Sequence, residues 1–190
     1  VFTTRPDTIF GVSFLVVAPE HSIIKEITIP SQKKEIESYQ KTSKKRSERE
    51  RQTNVKNISG AFTGSYAKHP VTGEKIPIWT SDYVLLGYGS GAIMAVPGHD
   101  GRDWRFAKHF KLPIIQVVDG GDVQKSALEG KEGEIINSNF LNSYEVKDAI
   151  SEALENMKKN NWGRPHVQYR RRDAVFGRQR YWGEPIPIVY

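Results

Sequence analysis

A chain of 190 residues with 37% hydrophobic and 26% charged residues can bury one real core, and a mean hydropathy of -0.56, with no apolar run near the roughly 18 residues a spanning helix needs, argues for a soluble protein. It has no cysteine, which excludes disulfides, thiolate zinc sites and cysteine nucleophiles, and its five histidines lack metal-binding spacing. The formal charge of +6 favours an anionic partner, of which nucleic acid is the commonest.

Val1 to Val17 is rich in β-branched and aromatic residues and is broken by Arg5-Pro6-Asp7. That pattern predicts a strand, a turn, and a largely buried strand around Phe14-Leu15-Val16-Val17. Ala18-Pro19-Glu20-His21 ends the strand and can open a short helix. Residues 31–52 predict a charged helix that meets the core only through Ile36 and Tyr39. Its Lys44, Lys45, Arg46, Arg49 and Arg51 suit either RNA phosphates or a solvated face of paired charges.

Short strands and turns fill the region from Val55 to Tyr83. Ala61 to Tyr66 alternates, His69 to Glu74 reads as a turn, and Lys75-Ile76-Pro77-Ile78-Trp79 reads as an edge strand because of its proline. Tyr83-Val84-Leu85-Leu86 and Ala92 to Val96 are the most apolar runs and are expected at the sheet centre. Asp100 to Phe110 predicts a helix with Asp100 near its N-cap and Phe106 and Phe110 on one face. Pro113 to Val118 predicts a strand. A second helix is expected from Tyr144 to Lys159, opened by an Asn142/Glu145 capping box. Its buried stripe is Val146, Ala149, Ile150, Ala153, Leu154 and Met157. The fold class is mixed α/β, a β-barrel-like core with flanking α-helices. The chain begins without methionine and ends inside an apolar run at Ile186 to Tyr190, so it is expected to be cut from a longer protein.

Three constellations carry chemistry. Gly87-Tyr88-Gly89-Ser90-Gly91 is a poor dinucleotide fingerprint, because its third glycine comes one place early and a strand follows. Small residues there let a ligand or another backbone approach closely. Thr3, Thr4 and Thr8 surround a turn fixed by Pro6, and read either as ordinary strand residues or as a hydroxyl cluster. Asp100 and Asp103 read either as helix-start carboxylates or as a pocket group facing a cation. His99 lacks a serine or cysteine nucleophile to serve as base.

Taken together, these segments resemble one family. Thr3-Thr4-Arg5-Pro6-Asp7-Thr8-Ile9-Phe10-Gly11 looks like the threonine-rich signature of the leucyl-tRNA synthetase editing domain (connective polypeptide 1), in its bacterial or organellar form. Gly89-Ser90-Gly91-Ala92-Ile93-Met94-Ala95-Val96-Pro97-Gly98-His99-Asp100, followed by Arg102-Asp103, resembles its second signature. Gly177 to Ile188 resembles the chain re-entering a class I synthetic domain. Valyl-type domains typically carry Glu where this chain has Asp7, and isoleucyl forms carry a Thr-Thr-Pro-Trp-Thr run that is absent. Ser90 stands where threonine is common, and Ala174 to Gly177 depart from the usual tail.

The resemblance implies an editing domain over residues 1–165 and a linker strand over 166–190. It implies hydrolysis of the ester of mischarged tRNA(Leu), carrying isoleucine, methionine or norvaline, while leucyl-tRNA is spared. Asp103 would hold the substrate's α-ammonium. Thr3, Thr4 and Arg5 would hold the adenosine, carbonyl and water, and Thr8 would exclude leucine. Tyr88, Met94, Val96, His99 and Asp100 would line the binding region. The implied partners are the 3' acceptor end of tRNA(Leu) and the rest of the synthetase. No membrane is involved, and a cytoplasmic monomer is expected. Editing would need no cofactor, since ATP and Mg serve only the synthetic domain. The alternatives are a valyl-type editing domain and a non-catalytic tRNA-binding module.

Overall fold

The computed structural model describes residues 1–47, 50–51 and 58–167. Arg49 and the tail from 168 to 190 lie outside the described residues. Four strands, β1 (Phe14–Val17), β2 (Ala61–Lys68), β3 (Lys75–Thr80) and β4 (Ala92–Ala95), form one mixed sheet in the order β2-β3-β1-β4. β1 runs parallel to β3 and antiparallel to β4, and β2 and β3 form an antiparallel hairpin. Among the described residues, the helices α1 (Ile24–Ile27), α2 (Lys33–Ser43), α3 (Gly101–Phe110) and α4 (Val146–Lys159) flank it.

Mixed α/β is therefore correct, but among the described residues the sheet stays open, with β2 and β4 at its edges. The segments expected to extend it do not form strands. Tyr83 to Leu86 lies in a run of turns, with only Val84 of its aliphatic residues buried. Pro113 to Val118 contributes a single bridge, Val118 to Ile135. Residues 1–4 contribute one bridge, Phe2 to Ile93, and Pro6–Gly11 is a 3-10 helix rather than a turn between strands. Proline at its first position, with a preset φ, favours that start.

Pro77 does not mark an edge, because β3 lies between β2 and β1. It sits ahead of the stretch paired to β1 and opposite an irregularity in β2 between Phe62 and Tyr66, where a missing N–H is tolerated. β4, expected at the centre, is among the described residues an edge strand, bridged on its far side by Phe2.

The main core lies between the sheet and α3. Phe14 of β1 stacks on Phe106 of α3 with ring centroids 5.0 Å apart, and Phe110 lies 4.5 Å from Phe106. A second core sits under α4, where Val146, Ala149 and Ala153 are buried and Ile150 packs beside them. Leu154 of the expected stripe is exposed. Phe10, on the 3-10 helix, packs into this cluster and against Phe140 at 5.4 Å, so α4 braces the threonine-rich segment. The capping box does not form: Glu145 is the N-cap, and Asn142 accepts from the Ser138 amide instead.

In α2, Ile36 is buried and Tyr39 packs against the core as expected. Beyond α2, Arg46 pairs with Asp82 at 2.8 Å and Arg51 with Glu20 at 2.7 Å. These two arginines tie the segment to the turn after β3 rather than offering free charge to phosphates. Lys44 and Lys45 are exposed.

Candidate active site

The threonine-rich segment is organised by Arg5 and Asp7. Arg5 Nε donates to both oxygens of Asp7 at 3.0 and 3.1 Å, and a terminal Nη donates to Oδ2 at 2.7 Å. Asp7 is wholly buried, so the pair is held in a low-dielectric setting where such a fork is geometrically demanding. The other terminal Nη of Arg5 reaches the Gly130 carbonyl at 3.3 Å. Thr3 Oγ1 accepts from the Arg5 amide at 3.0 Å. Thr8 donates both its amide and its hydroxyl to the Arg5 carbonyl, at 3.2 and 3.0 Å, and is 1% exposed. Thr4 is exposed.

The second segment reaches the first through β4. The Ser13 amide donates to the Ala95 carbonyl at 3.1 Å, and Val12, Ile76 and Val96 form a small core with Met94 against it. Gly11 makes this approach possible: a Cβ there would lie 3.0 Å from methyls of both Val96 and Val117. In the glycine run, Gly89 has φ of 60° and leaves no room for a side chain, because the Phe2 ring packs over it. The close approach at Gly89 is thus made by the Phe2 side chain rather than by another backbone. Tyr88 stands edge-on to that ring at 5.8 Å and is 46% exposed.

Asp100 caps α3 as expected, accepting from the amides of Arg102 and Asp103 at 2.8 and 3.2 Å, and pairs with Arg102. Asp103 is different. It is 4% exposed, with Oδ1 accepting from the Tyr83 hydroxyl at 2.8 Å and Oδ2 from the Val96 amide at 2.9 Å. Burial, helped by the negative charge of Asp100, pushes its carboxyl from 3.8 up to about 7, against the opposing pull of Tyr83, the Val96 amide and Arg102.

His99 is committed inside the protein. Nδ1 bonds the Leu128 carbonyl at 3.1 Å, and Nε2 accepts from the Val117 and Val118 amides at 3.1 and 3.2 Å. Those partners require the proton on Nδ1. Burial lowers its pKa against the pull of the Leu128 carbonyl, with Arg5 lowering it further and Asp7 opposing. His99 therefore lies within electrostatic reach of the threonine-rich segment and braces the 117–130 stretch beside it.

Sequence reasoning missed Tyr83, the direct partner of Asp103, and the Gly130 carbonyl beneath Arg5. No spacing signal joins Tyr83 to a carboxylate twenty residues later. A cleft of about 370 Å³ lies elsewhere, lined by Tyr39, Ser43, Arg46, Ser59 and Asp82 among others, and none of the candidate residues borders it. The chemistry above, rather than cleft size, selects the site. Among the described residues no three His, Asp or Glu side chains are placed to hold a metal ion, and no helix is long and apolar enough to cross a membrane.

These segments lie on a mixed α/β scaffold, and comparisons with known proteins identify it as a domain of the aminoacyl-tRNA synthetase class. The family model described as the leucyl-tRNA synthetase editing domain matches residues 1–158. The chain belongs to the leucyl-tRNA synthetase editing-domain family. It is 54% identical over 190 residues to a leucine–tRNA ligase of Azobacteroides pseudotrichonymphae, covering all of this chain and 21% of that protein. It is likewise 54% identical over 191 residues to a leucine–tRNA ligase of Christiangramia forsetii, covering 20% of that protein. The chain thus spans about a fifth of the length of these relatives. A crystal structure of the Agrobacterium radiobacter K84 agnB2 LeuRS–tRNA–LeuAMS ternary complex aligns with a TM-score of 0.54 at 34% identity, over 66% of this chain and 15% of that one.

Proposed function

We propose that this chain hydrolyses the ester of mischarged tRNA(Leu) and spares leucyl-tRNA(Leu). The observation that carries this reading is Asp103: a carboxylate buried at 4% exposure and held by two donors, one of them the amide of Val96, whose side chain packs at Gly11 at the end of the threonine-rich segment. Such a group is costly unless a cation completes it. The α-ammonium of an aminoacyl ester is that cation.

A second site answers a limit on discrimination. One methylene in an apolar pocket is worth about 1–3 kcal/mol, too little to separate leucine from isoleucine, methionine or norvaline. In this reading Thr8 forms the wall that leucine strikes, and Tyr88, Met94 and Val96 line the binding region. Arg5 keeps donors beyond those it gives to Asp7 and Gly130, and with Thr3 and the exposed Thr4 it holds the terminal adenosine, the ester carbonyl and the attacking water. Water adds to the carbonyl and the ribose oxygen leaves with a proton, giving free amino acid and uncharged tRNA. No side chain is needed as covalent nucleophile; positioning supplies the rate. His99 and Asp100 position rather than touch the substrate, through the 117–130 stretch and the start of α3.

The partner in this reading is the 3' acceptor end of tRNA, whose unpaired nucleotides can be splayed into a pocket. The remainder of a cytoplasmic leucine–tRNA ligase supplies most of the tRNA contact, and residues 1–165 form the editing unit with 166–190 as its return linker. The test is single-turnover deacylation of isoleucyl-tRNA(Leu) by wild type and Asp103→Ala. Hydrolysis by the first and none by the second supports the reading. Equal rates would remove Asp103 from it, and no hydrolysis by either would leave a tRNA-binding module.

A further inference from the structure

We infer that Tyr83 is a positioning residue for this reaction, holding the Asp103 carboxylate ionised and aimed at the substrate's ammonium. The inference rests on the editing reading above and deepens it. Tyr83 comes from the turns that follow β3, and Asp103 from the first turn of α3, so their contact joins two elements that share no ladder. The Tyr83 hydroxyl donates to Oδ1 at 2.8 Å while the Val96 amide donates to Oδ2 at 2.9 Å. One donor on each oxygen fixes the carboxylate plane. Each oxygen keeps one acceptor site for an incoming ammonium.

Tyr83 is suited to remain a donor. Burial, and then the negative charge of Asp103, push its phenol well above the usual range, so it keeps its proton wherever the enzyme works. Its ring is fixed by Phe106, 5.8 Å away in the core of α3. The other groups acting on Asp103 are Asp100, which resists its ionisation, and Arg102, which favours it, both on α3. The Tyr83 hydrogen bond and the Val96 amide also favour the ionised form. Of these, the tyrosine hydrogen bond is the one a conservative substitution removes without disturbing the helix.

The consequence is a pH signature. Binding the ammonium needs the anionic carboxylate, so deacylation should fall as pH drops through about 7. Without the tyrosine hydroxyl the acid form gains, and the acid limb moves upward. The test uses the full-length leucine–tRNA ligase that the reading assigns to this chain. Single-turnover deacylation of isoleucyl-tRNA(Leu) is followed from pH 5.5 to 9, with spontaneous hydrolysis subtracted, for wild type, Tyr83→Phe and Asp103→Ala. Tyr83→Phe is expected to move the acid limb up by about one pH unit, to lose roughly fivefold at pH 7, and to approach the wild-type rate at pH 9. A limb that superposes on wild type, or a loss equal at every pH, overturns the inference. If Asp103→Ala keeps full activity, Asp103 has no part in the reaction and the inference falls with it; if wild type releases no isoleucine above the spontaneous rate, it is the editing reading that fails instead. Should Tyr83→Phe not fold, 3-fluorotyrosine at position 83 keeps the shape and donates more strongly. The limb must then move down, and an unmoved limb overturns the inference equally.

Discussion

Arg5 and Asp7, two residues apart, close a three-contact fork inside the threonine-rich segment, with Asp7 wholly buried and Thr8 bonded to the carbonyl of the same arginine. The fork orients the arginine and also holds up the segment that carries Thr8. Arg5→Ala would leave a buried carboxylate without a partner. It should destabilise the chain by about 3–5 kcal/mol, read from urea unfolding at pH 7. Arg5→Lys keeps the charge but not the fork, and should fall between.

Thr8 gives a prediction that separates specificity from stability. It is buried, and its hydroxyl donates to the Arg5 carbonyl. Thr8→Ala should cost about 1 kcal/mol in unfolding free energy. It should also let the site hydrolyse leucyl-tRNA(Leu), measured by release of leucine. If leucyl-tRNA survives as with wild type, Thr8 is not the wall.

Asp103 should trade stability for function. Its carboxyl holds a proton more tightly folded, at about 7, than free, at 3.8. That contribution to stability is complete below about pH 4 and is lost as pH rises through 7. Asp103→Asn carries no such charge, and Tyr83 can reverse its hydrogen bond to accept from the amide. The variant should therefore gain on wild type between pH 4 and 8, by at most about 4 kcal/mol, while editing is lost. Thermal unfolding of both proteins across that range checks it; a gap that does not widen with pH contradicts it.

His99 predicts the opposite slope. Its pKa is lowered in the folded chain, chiefly by burial, so its contribution is present above about pH 6.5 and lost as pH falls through the folded value. His99→Ala should remove this dependence and leave the Val117 and Val118 amides without an acceptor. Hydrogen exchange should then quicken at those two amides first.

Local signals carried the legible part of the fold. Asp100 capping α3, the Phe106 and Phe110 pair, the buried β1 run and the hairpin of β2 and β3 are all written within a few residues of where they act. The misread segments are those whose backbone partners are distant side chains. Pro113 to Val118 has strand composition, but its last two amides go to the His99 ring instead of a ladder. Tyr83 to Leu86 is apolar because Val84 fills the core and Tyr83 reaches Asp103, and an apolar run reads alike in a strand or a turn. For the site, the threonine-rich segment and Asp103 were visible as motifs. The Asp7 clamp and the tyrosine that governs Asp103 depend on chain folding that no periodicity encodes.

The most direct measurement compares two substrates on one enzyme. Isoleucyl-tRNA(Leu) and leucyl-tRNA(Leu) are each given in single-turnover amounts to the full-length ligase carrying this chain, and release of amino acid is timed at pH 8. The account predicts rapid loss of isoleucine, with leucyl-tRNA decaying no faster than in buffer. Equal rates for both esters, or no release above buffer from either, would contradict it.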